Sequence, residues 1–152
     1  MRTGVFVGSF DPFTIGHVSV LRRAMPLFDK IVVGVGVNAG KVYMHTADER
    51  VAAIRVVCER LSAEQTAGCI VEVKSFAGLT VQFAAAEHAA YIIKGVRSVK
   101  DFEYEREQAD VNRRLAGVET LLLIAEPRYA SVSSSVVREL MRAGADVTSM
   151  LP

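Results

Sequence analysis

The sequence predicts an α/β fold, a five-stranded parallel sheet with helices on both faces. Three observations predict it. Short apolar runs rich in β-branched residues recur along the chain, longer amphipathic stretches separate them, and most runs lack the polar alternation of a strand with one wet face. Repeated strand–helix units of this kind build a parallel sheet with crossover helices. No linker, internal repeat or composition break interrupts the 152 residues, so residues 1–152 are expected to form a single domain.

Val5-Phe6-Val7 is the first strand, and Val18, Leu21, Met25 and Phe28 then share one face of a first helix. Ile31 to Val35 form the second strand. The glycines of Gly34-Val35-Gly36-Val37-Asn38-Ala39-Gly40 sit within that strand, and their spacing does not match a dinucleotide fingerprint. Thr46-Ala47-Asp48-Glu49 reads as a capping box that opens a second helix, with Val51, Ile54, Cys58 and Leu61 along one side. Asp48, Glu49 and Arg50 are accordingly read as a helix start rather than as chemistry. Ile70 to Val73 give the third strand, Leu79 to His88 a helix, and Tyr91-Ile92-Ile93 the fourth strand. The next helix runs from about Asp101 to Leu115, acidic at its start and basic at Arg113 and Arg114, as the helix dipole favours. Leu121 to Ile124 form the fifth strand. A last helix starts near Ser133–Ser135 and stops at Gly144.

Eighteen basic and seventeen acidic side chains leave a formal net charge of +1. Bulk charge therefore calls for neither nucleic acid nor an anionic membrane as partner. The apolar runs are too short to span a bilayer. Met1-Arg2-Thr3 leads straight into the first strand, and Asp11 follows before a signal-peptide core could form, so a cytoplasmic location is expected. Cys58 and Cys69 provide neither a disulfide framework nor metal-ligand spacing. His45 and His88 lack a partner pattern and read as surface or packing residues.

In parallel sheets, ligands collect beyond the carboxyl ends of the strands. That selects the loops Gly8–Thr14, Val37–Met44, Lys74–Gly78, Lys94–Lys100 and Glu126–Val132. The first is the most informative. Gly8 and Gly16 allow close backbone approach to a ligand, Ser9 and Thr14 offer hydroxyls, and the open N–H groups of the helix start make an anion site. His17, in the first turn, can aim an N–H donor at the same anion. Lys41 follows the second strand, and Lys94 and Arg97 follow the fourth. Four cationic or donor groups on one rim of a nearly neutral protein suit a reaction between two anions, where charge cancellation and in-line positioning are the main tools. Ser133, Ser134 and Ser135 open a helix with no acidic residue three positions after Ser133, so their hydroxyls are expected to be free for phosphate oxygens.

The string from Gly8 to His17 resembles the Thr/His-x-Gly-His signature of the nucleotidyltransferase superfamily. Lys94-Gly95-Val96-Arg97, Asp101-Phe102-Glu103-Tyr104-Glu105 and Pro127 to Ser135 resemble, in order and spacing, the remaining motifs of bacterial phosphopantetheine adenylyltransferases. The first loop alone is shared with sister enzymes that use mononucleotides or glycerol phosphate; the three later segments favour phosphopantetheine. The resemblance covers essentially the whole chain. It implies a Rossmann-like fold and transfer of the adenylyl group of ATP to 4′-phosphopantetheine, giving dephospho-coenzyme A and pyrophosphate in coenzyme A biosynthesis.

By the same resemblance His17, Lys41 and Arg97 would serve catalysis. ATP would lie against Ser9, Phe10, His17, Gly95, Val96, Arg97, Glu105 and the segment Tyr129, Ala130, Ser131, Val132, Ser133, Ser134, Ser135. Phosphopantetheine would contact Ser9, Lys41, Thr80 and Lys94. A Mg2+ ion would arrive with ATP, held mainly by its phosphates. The resemblance further implies a homohexamer and feedback binding of coenzyme A. The chain departs from the family at four places. Val7 stands where Pro is frequent, Ser9 replaces a common Thr but keeps its hydroxyl, and Lys94 replaces an Arg, keeping charge without the bidentate fork. The fourth is the end at Pro152, where relatives usually continue into another helix.

Overall fold

Five strands pair in parallel in the order β3-β2-β1-β4-β5: β1 (Thr3–Gly8), β2 (Lys30–Val37), β3 (Ile70–Ala77), β4 (Tyr91–Val96) and β5 (Glu119–Ile124). These come from a computed structural model that describes residues 1–65 and 68–152. From β1 the chain winds outward through β2 to β3, then returns to place β4 on the other side of β1. The winding direction reverses between β1 and β4, so a crevice opens at their carboxyl ends.

Alternate side chains along each strand enter opposite layers. Phe6, Ile31, Val33 and Ile93 pack with α1 (Ile15–Ala24) and α2 (Ala47–Glu64), whereas Val5, Val7, Val32 and Ile92 pack with α3 (Thr80–Ala86). α4 (Val99–Ala116) lies beside α3. The expected burial on both faces holds for the three central strands and fails for β3 and β5. These are the sheet edges, with one strand neighbour each, and they expose Ile70 and Ile124. Glu72 on β3 pairs with Lys30 at 2.9 Å and Lys74 at 3.2 Å, which charges that edge and discourages further strand pairing.

The helix boundaries follow local chemistry. Thr14 caps α1 in a reciprocal box with His17, and Thr46 and Glu49 form the expected box at α2. α1 stops at Ala24, followed by a 3₁₀ turn over Met25–Leu27, because Pro26 cannot continue the ladder. Met25 and Phe28 are therefore buried beyond the helix instead of on its face. α3 is shorter than the Leu79–His88 pattern suggests. α4 starts two residues before Asp101, because the Ser98 hydroxyl accepts the Asp101 N–H at 3.1 Å. α5 (Ser134–Arg142) is capped by Ser133, and Gly144 follows it at φ 76°. Lys94 belongs to β4 itself and not to the loop after it.

Candidate active site

A hollow of about 300 Å³ opens over the carboxyl ends of β1 and β4, walled by the first loop, Glu105 of α4 and the start of α5. A second hollow of about 390 Å³ adjoins it toward β2 and β3 and contains Asn38, Tyr43, Thr80 and Tyr104. Val7, Gly8, Ser9, Lys41 and Lys94 line both. The two spaces therefore share a border that carries two lysines and a hydroxyl.

His17 projects into the first hollow, and its protonation follows from its surroundings. The Thr14 backbone N–H donates to Nδ1 at 2.9 Å. Nδ1 must then be bare, so the neutral ring carries its proton on Nε2. The ring stacks on Phe13 with centroids 5.2 Å apart and meets Phe10 edge-on at 5.0 Å. Desolvation among these rings, reinforced by the charges of Arg97 and Lys94, lowers the His17 pKa to about 4. His17 thus offers an uncharged N–H donor, and the positive charge of the rim is left to Lys41, Lys94 and Arg97.

The first loop is held from behind by two buried polar residues. Asp11 accepts hydrogen bonds from the Met44 N–H at 2.7 Å, the His45 N–H at 3.0 Å and the His45 ring at 2.9 Å. Burial opposes ionisation of Asp11, but the Met44 and His45 donors outweigh it and hold its pKa below the ordinary value. Arg50 is only 3% exposed; its guanidinium donates to the carbonyls of Ser9 at 2.7 Å and Gly36 at 3.0 Å and lies 4.0 Å from the Tyr43 ring centroid. Arg50 stands in the first turn of α2, as its sequence reading has it, and both His45 and Arg50 in addition fasten the loop. Gly8 serves this packing too, since a Cβ there would come within 2.9 Å of the Phe10 ring. At Gly16 a Cβ would stand 3.5 Å or more from its neighbours, and the space it would fill belongs to the hollow.

The charged groups are partly paired. Lys41 donates to Ser9 Oγ at 3.1 Å, Lys94 stands 3.6 Å from Glu105, and Arg97 grips Asp101 through Nε at 3.0 Å. The serine hydroxyls are less free than expected. Thr14 and Ser133 cap helices, Ser134 donates to the Pro12 carbonyl at 2.8 Å, and Ser135 accepts from Arg138 at 3.2 Å. Ser133 and Ser135 keep their hydroxyl protons for a further acceptor; Ser134 does not.

Lys41, Lys94, Arg97 and His17 all line the first hollow, together with Ser9, Phe10, Gly95, Glu105, Tyr129, Val132 and Ser133–Ser135. Ser9, Lys41, Thr80 and Lys94 all line the second. Val96 does not reach the first hollow, because its side chain is buried beneath the strand end. Ala130 and Ser131 lie outside it, on an exposed turn before α5. Sequence reasoning missed Arg138, which lines the first hollow and donates to the Asp11 carbonyl at 2.9 Å. Its place three residues after Ser135, on the helix turn that faces the cleft, was the available signal. Nothing in the local pattern singled out Asp11 or Arg50, whose partners are far apart in the chain.

The cytidylyltransferase-like family model matches residues 5–140. The phosphopantetheine adenylyltransferase of Phocaeicola vulgatus is 47% identical over 152 residues, covering 100% of this chain and 96% of that protein. The protein of the same name from Leuconostoc citreum is 48% identical over 146 residues, covering 96% of this chain and 88% of its own length. Among solved structures, a bifunctional NMN adenylyltransferase/ADP ribose pyrophosphatase from Francisella tularensis, complexed with AMP and a manganese ion, aligns with a TM-score of 0.66 at 14% identity. That match covers 99% of this chain and 44% of the other and is a likeness of fold. Motif order, sheet topology and full-length identity agree: the chain belongs to the phosphopantetheine adenylyltransferases of the cytidylyltransferase-like family.

Proposed function

We propose that this protein transfers the adenylyl group of ATP to 4′-phosphopantetheine, forming dephospho-coenzyme A and pyrophosphate. The observation that carries this reading is the common border of the two hollows at Ser9, Lys41 and Lys94. ATP occupies the hollow with His17, Arg97 and the α5 start, and the phosphopantetheine arm occupies the one with Thr80. A phosphate oxygen of phosphopantetheine attacks the α-phosphorus in line, the bond from that phosphorus to the bridging oxygen breaks, and pyrophosphate leaves with the electron pair. No covalent intermediate on the protein is needed.

Lys41 and Lys94 offset the repulsion between the two anions at the border, and His17 Nε2–H donates to the oxygen that gains charge in the transition state. Arg97 carries charge toward the departing phosphates. Ser133 and Ser135 supply hydroxyl donors at the α5 N-terminus, where the helix dipole favours an anion. Among the described residues no group of three or more His, Cys, Asp or Glu side chains converges to hold a metal, and the donors that line the cleft suit an anion. A Mg2+ ion would arrive with ATP, held mainly by the phosphates, and would supply charge neutralisation there.

No helix of the described residues is long and apolar enough to cross a membrane. A cytoplasmic, single-domain enzyme that assembles as a homohexamer completes the reading, and α4 supports assembly by exposing Phe102, Val111 and Leu115. Coenzyme A, which contains the chemical parts of both reactants, is the feedback ligand of this reading. The test is pyrophosphate release from ATP with 4′-phosphopantetheine, nicotinate mononucleotide, nicotinamide mononucleotide or glycerol phosphate as acceptor. Release with phosphopantetheine is expected, and turnover with a mononucleotide alone would retire the proposal.

A further inference from the structure

We infer that Tyr43 is a positioning residue for Lys41, a role that rests on Lys41 acting at the border of the two hollows. Lys41 sits in the loop after β2, on a long flexible stem, and its ammonium must stay at the border rather than swing into solvent. Three features of Tyr43 restrain it. The Lys41 ammonium lies over the Tyr43 ring, 5.4 Å from the centroid, within cation–π range. The same ring lies 4.0 Å from the guanidinium of Arg50, which is itself buried and fixed to the Ser9 and Gly36 carbonyls. The Tyr43 hydroxyl accepts the Asn38 N–H at 3.0 Å, pinning the start of the loop that carries Lys41.

The ring therefore couples a rigid anchor to a mobile cation. Arg50 sets the place of the ring, the ring sets the place of the ammonium, and Ser9 Oγ receives the Lys41 proton donor at 3.1 Å. Ser9 Oγ and the Arg50-bound Ser9 carbonyl belong to one residue, so the first loop and the Lys41 loop are tied at both ends of this chain of contacts. Tyr43 also forms part of the second hollow's wall, so it acts where the acceptor substrate enters.

The experiment is a double-mutant cycle on the full-length protein, with Tyr43→Leu, Tyr43→Phe, Lys41→Met and the two combinations. Tyr43→Leu is expected to lower kcat about three- to fivefold, in keeping with the loss of one exposed cation–π contact, while KM for ATP stays within about twofold. Tyr43→Phe keeps the ring and is expected to recover most of that loss. In the Lys41→Met background, Tyr43→Leu is expected to cost nothing further, because a residue that acts through Lys41 has no target left. The NMR signal of the Lys41 Cε protons gives a readout independent of turnover: ring-current shielding present in the native protein and in Tyr43→Phe, absent in Tyr43→Leu. Equal loss of kcat from Tyr43→Leu in both backgrounds, or an unchanged Lys41 signal, overturns the inference. Undiminished turnover in Lys41→Met alone would instead remove Lys41 from the reaction, while the Lys41 signal still decides whether Tyr43 positions it.

Discussion

A neutral histidine beside two cations is the defining residue of the cleft. Because the folded pKa of His17 is about 4 and an unfolded histidine titrates near 6.5, the unfolded chain binds a proton that the folded one does not between those values. Stability from this residue is therefore full above the unfolded value and declines as pH falls from about 6.5 toward 4. Urea unfolding of the native protein and of His17→Gln at pH 5 and pH 7 checks the sign: the native protein should lose more between the two. NMR titration of the His17 ring should place its midpoint near 4. His17→Ala is expected to lower kcat by ~10²–10³, the typical worth of one donor to transition-state charge, with a much smaller loss of ATP affinity by equilibrium binding. Equal losses would make His17 a binding residue. That His17 is a donor was readable from its spacing after Gly16. Its neutrality was not, since it depends on Phe10 and Phe13 rings and on Lys94 and Arg97, which arrive from another strand.

At the scale of elements, the loops work because buried polar anchors lie behind them. Arg50 is the clearest case: a helix residue whose guanidinium ties the Ser9 carbonyl to that of Gly36, at the ends of two neighbouring strands. Arg50→Met removes a buried guanidinium that donates to both of these part-buried carbonyls and is expected to cost about 3 kcal/mol of stability, read as a lowered urea midpoint. Arg50→Lys should recover only part of it, because an ammonium cannot span both carbonyls with a planar fork. The helix starts were the most legible elements. Thr46 with Glu49 announced α2, and Ser98 with Asp101 carried the same kind of signal for α4, although the acidic run at Asp101 drew the boundary too late. The Asp11–His45 link was not legible, because it joins residues 34 apart and no local period marks it.

For the whole molecule, the strand-end rim could be foreseen, since five parallel strands put all their carboxyl ends on one side. The strand order and the division of the rim into two adjoining hollows could not, because both depend on the direction of winding after each helix. Sedimentation of the pure protein should give a particle six times the 16.5 kDa chain mass. Val111→Glu with Leu115→Glu should drive it toward smaller species, whereas an unchanged particle would move the contact surface away from α4. The partition of the rim also governs how the reaction ends. In the proposed placement of the two reactants, the molecule that carries the new phosphoanhydride would span compartments that two had filled separately, and it would touch Lys41 and Lys94 from both sides. On that placement dephospho-coenzyme A would exclude either reactant, and its escape would empty the entire groove at a stroke.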